Sequence, residues 1–150
     1  GIMMTNFCGI TGSKVHIIQL VKGEMLLEGI QKVIDMEHIV NGVILAGLGT
    51  LDRCTMHSVV TRTMPVENKY FTWLDEPLGV SSMNGIIVNG QPHIHMTMSV
   101  YTGETSTYTG HLENGTRVLC RMDIAIIEID GVNLTRELNE DGVEIMKVVK

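Results

Sequence analysis

Apolar residues along this chain follow two periods, and the switches between them lay out its elements. Over residues 13–22, Val15 and Ile17 alternate imperfectly with polar neighbours, the period of a strand. Over residues 23–38 the period lengthens. Leu26, Ile30, Val33 and Ile34 fall at i, i+4, i+7 and i+8, one buried helix face. Asn41-Gly42 is expected to end that helix. Residues 43–60 predict one long strand or two, with Gly47 and Gly49 permitting a bulge or a close backbone approach. Residues 68–74 and 79–88 predict further strands. Asn89-Gly90 marks a tight hairpin into a strand over residues 93–101. Residues 102–106 read as a polar, glycine-bearing turn, and residues 107–113 return. Residues 117–129 carry Ile124, Ile126, Ile127 and Ile129, a β-branched run suited to a buried strand. Asp130-Gly131 turns the chain, and residues 143–149 close it. The pattern describes a mostly β chain with one helix.

Composition narrows the class. A chain of 150 residues, 44% hydrophobic, suits one domain with a real core. Residues 1–12 read as an N-terminal extension, with Gly1 and Ile2 as a possible cloning remnant, and residues 13–150 as the single domain. No apolar run is long enough to cross a membrane, and Gly-Ile-Met-Met-Thr at the start does not resemble a signal peptide. Cys8, Cys54 and Cys120 are odd in number and form no Cys-x-x-Cys pair, so reduced thiols in a cytoplasm are expected. Cys54 and Cys120 read as core residues. A net charge of −6 opposes a broad nucleic-acid footprint. The eleven Lys and Arg residues form no visible stripe.

The candidate chemistry lies in three histidines. His93 and His95 occupy alternate positions of one strand, so both point to one face with Cα atoms about 7 Å apart. A turn centred on Glu104 would set Tyr101 opposite Thr107 and Thr97 opposite His111, making His111 a diagonal neighbour of His95 on that face. A lone strand histidine is ordinarily exposed or hydrogen-bonded. Three neutral imidazoles at one place are the ligand set of a divalent metal with an open position. Zinc is the default for such a set, although nickel and iron also accept imidazole. A cupin pattern and a His-Glu-x-x-His motif are both absent.

Other residues could serve such a metal. His57 is a candidate fourth ligand or substrate contact, though a partly buried strand histidine is the commoner case. Glu113 shares the parity of His111 and could act as a general base or hold a ligand, against the ordinary fate of a solvated hairpin residue. Arg117 and Arg121 could bind a substrate carboxylate, or be plain surface charges. His16 and His38 read as structural. Of the eleven methionines, Met96 and Met98 alternate with the histidines and are expected to fill the opposite, buried side.

The order of several motifs resembles a known family. After the helix beginning Gly23-Glu24 come Gly42-Val-Ile-Leu-Ala-Gly-Leu-Gly-Thr-Leu51, Ser82-Met-Asn-Gly-Ile-Ile87, Pro92-His-Ile-His95, Gly110-His-Leu112 and Arg136-Glu-Leu138. Together they resemble the PPC (plants and prokaryotes conserved) domain in its bacterial single-domain form, over nearly the whole chain. The resemblance implies an α+β fold, with a largely antiparallel sheet packed on the helix, and a homotrimer. Plant relatives join the domain to AT-hook segments, and bacterial members often carry a DNA-binding label. No AT-hook core occurs here. The fold of the family is similar to that of acetolactate decarboxylase, a zinc enzyme held by a His-x-His pair and a later histidine, which His93, His95 and His111 match.

Two functions follow as expectations. The first is a cytoplasmic, trimeric binding module that holds a divalent metal and takes a small-molecule ligand there. The second is a zinc-dependent lyase or hydrolase acting on a small carbonyl acid. The edges of a small sheet need cover, and the stretch 83–88 is a plausible interface strand, which suits a trimer beyond the resemblance.

Overall fold

The computed structural model of the chain describes residues 4–150, so Gly1 and Ile2 lie outside the described residues. Its elements are β1 (Ile10–Val21), α1 (Leu26–Met36), β2 (Gly42–Val59), β3 (Asn68–Val88), β4 (Gln91–Val100), β5 (Ser106–Leu112), β6 (Arg117–Asp130), β7 (Leu134–Leu138) and β8 (Glu144–Val148). The fold is a mostly antiparallel β-sheet with one short helix. Its first strand opens at Ile10, inside the stretch expected to be an extension.

Six strands lie in the order β1-β6-β2-β3-β4-β5, every neighbouring pair antiparallel. The far end then returns on itself. β5 also pairs with β2, Met56 opposite Leu112 and His57 opposite His111. Strands β2 to β5 therefore close a small ring. Closure covers the end of β5 at His111 and Leu112 and so shortens the free edge that this strand would otherwise present. It fills the interior with Met56, Leu78, Met96, Met98 and Leu112, all at most 1% exposed. The two methionines lie on the buried side of β4, as the alternation predicts, and Ile94 and Val100 join them.

The helix buries Leu26, Ile30 and Ile34 against this core, with Leu27 and Val33 partly covered. It ends earlier than the Asn41-Gly42 signal suggests. His38 takes a left-handed conformation (φ 54°), its N–H donates to the Asp35 carbonyl, and the Ile39 N–H donates to the Ile34 carbonyl. That is a Schellman closure with a histidine where glycine is usual. Asn41 has a different task. It is 5% exposed, its amide donates to the Val132 carbonyl at 2.8 Å, and its oxygen accepts from the Leu134 N–H at 3.3 Å. Asn41 thus ties down the start of β7.

The stretch expected over residues 43–60 is a single strand, β2, and the two strands expected over residues 68–74 and 79–88 also fuse into one, β3. The fusion is bulged. Between the pairs Leu51–Leu78 and Arg53–Leu74, three β3 residues face one β2 residue, and Asp75 takes φ 55° there. A second bulge sits across β2 and β6. Gly49 pairs with Met122 and Leu51 with Val118, so residues 119–121 loop out against Thr50. This overturns the core placement of Cys120. By parity it belongs inside, but the bulge turns it outward, and it is exposed. Cys54 is fully buried, and burial pushes its thiol pKa up to about 12.

Candidate metal centre

Along β4 the odd positions face outward, and they carry His93 and His95. On β5 and β2 the outward positions opposite and beyond carry His111 and His57. The histidine cluster therefore stands on the outer wall of the ring, where β4, β5 and β2 run side by side. Ring closure alone brings His57 there, since β2 and β5 are far apart in sequence.

The hairpin register differs from the expected one. His95 pairs directly with His111, not diagonally, and Val100 pairs with Ser106. The turn is centred on Gly103 (φ 78°), one residue earlier than Glu104, because glycine accepts the left-handed conformation that reverses the chain. Moving the centre by one residue moves the register by two, and a two-residue shift keeps every side chain on its face.

The three imidazoles converge. The Nε2 atoms of His93 and His95 are 3.2 Å apart, and each of the three rings offers a nitrogen within 4.8 Å of the others. Ring planes cross at 60° between His93 and His95 and at 71° between His95 and His111, so in-plane lone pairs can approach one point from different directions. Two nitrogens each about 2.0–2.1 Å from a tetrahedral zinc stand about 3.3 Å apart. The donor set fits such an ion. Burial, then the neighbouring rings of His57 and His93, push the His111 pKa down to about 4, while Glu113 partly offsets them. Burial, then His95 and Arg136, also lower the pKa of His93, and Glu144 opposes the shift. Both rings are therefore neutral near pH 7, the form that ligates.

His57 sits differently. Its ring stacks on His111, and its Nδ1 is hydrogen-bonded to the Glu113 carboxylate. Glu113 is thus half-buried and engaged, not a solvated hairpin residue. His57, His111 and Glu113 form a second group of donor atoms within 4.8 Å of one another, sharing His111 with the first.

Arg117 and Arg121 lie elsewhere. Arg117 donates to Asp52 at 2.8 Å and lies 3.8 Å from Asp75. Arg121, on the bulge, approaches Asp123 at 3.4 Å. Neither lines the cleft at the histidines, which measures about 630 Å³ and is bounded by His57, His93, His95 and His111 on one side. Its other side is the β7–β8 hairpin, which contributes Arg136, Val143 and Glu144. The first strand of this hairpin, β7, is not among the strands the pattern predicts. Leu134, Arg136 and Leu138 do alternate, but five residues beside polar turns give a weak signal.

These features define an α+β domain on an antiparallel sheet with an imidazole cluster on its outer wall. The chain belongs to the Plants and Prokaryotes Conserved (PCC, also written PPC) domain family, whose pattern matches residues 10–130. No curated protein matches its sequence. Three solved structures share the fold. A metal-containing protein from Archaeoglobus fulgidus is 22% identical, with a TM-score of 0.78 over 95% of this chain and 98% of that one. A plant- and prokaryote-conserved protein from Pyrococcus horikoshii is 21% identical, with a TM-score of 0.75 over 98% and 99%. A protein from Bacteroides thetaiotaomicron, named as a candidate DNA-binding protein, is 20% identical, with a TM-score of 0.68 over 93% and 96%. No helix among the described residues is long and apolar enough to cross a membrane.

Proposed function

We propose that this protein is a trimeric, cytoplasmic binding module that holds a divalent metal, by default zinc, on His93, His95 and His111. The observation that carries the reading is the meeting of three imidazoles from two paired strands, with two Nε2 atoms 3.2 Å apart. An all-nitrogen set suits zinc, and the cleft beside it leaves room for a small-molecule ligand at a fourth position. The metal-containing Archaeoglobus fulgidus relative is consistent with this reading. Self-association finds support in apolar side chains left on the surface: Ile10, Val15, Ile17 and Val21 on the edge strand β1, with Leu45 and Leu48 on β2, are each more than half exposed. All three cysteines are free, which suits a reducing compartment.

Elemental analysis of the purified protein beside His95→Ala tests the metal site. One divalent ion per chain, lost in the variant, is the expected result. Unchanged metal content in His95→Ala would reject the ligand assignment.

A second reading, a zinc-dependent lyase or hydrolase acting on a small carbonyl acid, draws on the His57–Glu113 pair against His111. A bound zinc would supply Lewis-acid polarisation of a carbonyl. Glu113 would orient His57, and His57 would hold or accept a proton at the cleft wall. Consumption of pyruvate-like acids by the metal-loaded protein, abolished in His57→Phe, would favour this reading over the module.

A further inference from the structure

We propose that Arg136 makes the cleft a receptor for a small carboxylate that also reaches the metal, a 2-oxo or 2-hydroxy acid. The inference rests on the three-histidine metal reading and names the ligand class for that site. Two cations of the chain are half-buried among the described residues, Arg117 and Arg136. Arg117 is satisfied by Asp52. Arg136 has no carboxylate within 4.0 Å among the described residues.

What holds Arg136 is backbone. Its Nη1 donates to the Gln91 carbonyl and its Nη2 to the Ile86 carbonyl, both at 3.2 Å. These bonds clamp the guanidinium across the β3–β4 hairpin that carries His93. A guanidinium has five N–H donors, so three remain. Two parallel donors on one planar edge fit a carboxylate bidentately. Burial disfavours the charged guanidinium, and Glu144 relieves only part of that cost. An anion in the cleft would relieve more.

The two recognition elements share one space. Arg136, His93, His95 and His111 line the same cleft. A divalent ion on three neutral imidazoles plus Arg136 outweighs Glu144, so the cleft would be positive on a chain of net charge −6. A 2-oxo acid presents an oxygen for the metal's open position and a carboxylate for the guanidinium. A simple ester of it keeps the first and lacks the second.

The test uses the full chain loaded with cobalt(II), whose visible spectrum reports a ligand entering the metal sphere. Pyruvate, methyl pyruvate and azide are titrated into wild type, Arg136→Gln and Arg136→Lys. The expected result is a pyruvate Kd raised at least 10-fold in Arg136→Gln and by less in Arg136→Lys. Azide binding should fall far less than pyruvate binding, metal content should stay unchanged, and methyl pyruvate should bind wild type as weakly as pyruvate binds Arg136→Gln. Pyruvate binding that is absent from wild type, equal in all three proteins, or lost in parallel with azide would overturn the role of Arg136 and leave the metal site standing. Wild type that takes up no cobalt would overturn both. Should Arg136→Gln fail to fold, Arg136→Lys decides: a pyruvate Kd equal to that of wild type overturns the proposal.

Discussion

His57 on β2 stands directly opposite His111 on β5, their rings stacked with centroids 4.3 Å apart and planes 26° apart. Near-parallel rings run their in-plane lone pairs side by side, unlike the crossed rings of His93, His95 and His111. Glu113 occupies the Nδ1 of His57 as well. His57 is therefore placed to support His111 and to face the cleft.

A phenylalanine at position 57 keeps the stack and removes both nitrogens. His57→Phe should retain one metal per chain by elemental analysis, whereas His111→Ala should lose it. Glu113→Gln should weaken metal binding by about 10-fold or less, since Glu113 bonds His57 and His57 in turn only stacks on the ligand His111. Loss of metal in His57→Phe as complete as in His111→Ala would make His57 a fourth ligand.

Acid should empty the site and loosen the fold together. The native pKa of His111 is about 4 and that of His93 is also lowered, against about 6.5 in the unfolded chain. Below pH 6.5 the unfolded chain therefore binds more protons than the native one, and stability falls with pH until about pH 4. The same protons compete with the metal for the ring nitrogens. Chemical denaturation of metal-free protein at pH 7, 5.5 and 4.5 should show a midpoint that declines stepwise. In His111→Phe the decline should be smaller. A midpoint indifferent to pH over this range would contradict the partial desolvation of His111.

Much of this site could be read before its geometry was known, because strand alternation alone fixes which side chains share a face. His93, His95 and His111 needed only a hairpin of correct parity, and a two-residue register error left them together. The helix face was legible for a similar reason: Leu26, Ile30 and Ile34 keep one period. What escaped depends on contacts distant in sequence or on breaks in period. Glu113 shares the face of His111 by that same alternation, but ring closure between β2 and β5 is what sets His57 beside them, and no local pattern encodes that closure. The bulge at residues 119–121 reverses the parity of Cys120. Arg136 reaches the cleft from a short hairpin anchored by Asn41, more than 90 residues earlier in the chain.

Gly49 tests the close backbone approach that its neighbourhood suggested. It takes φ 148°, and a Cβ built there would lie 2.0 Å from the Arg121 carbonyl oxygen. Backbone, not a flexible side chain, blocks the space. Gly49→Ala must strain the conformation and also push β6 away at its bulge. A loss of more than about 3 kcal/mol is expected in urea denaturation, in the range reserved for special backbone positions. Gly115 makes a control. It also has a positive φ, 87°, but nothing lies within 4 Å of its Cβ position, so Gly115→Ala carries conformational strain without a clash. Equal losses in the two variants would show that the β2–β6 approach is not tight.

Direct DNA binding is a further point on which charge makes a firm statement. Affinity for duplex DNA comes largely from cations that replace condensed counterions. This chain has 11 Lys and Arg against 17 Asp and Glu. Several cations are already spoken for: Arg117 by Asp52, Arg121 by Asp123 and Lys147 by Glu137. Arg136 faces the cleft, not an open surface. A fluorescently labelled 20-base-pair duplex at 150 mM salt should therefore show no anisotropy change at micromolar protein, with or without zinc. Binding there, weakening steeply with added salt, would show that assembly gathers the remaining cations into a patch a single chain does not possess, and would restore DNA as a partner.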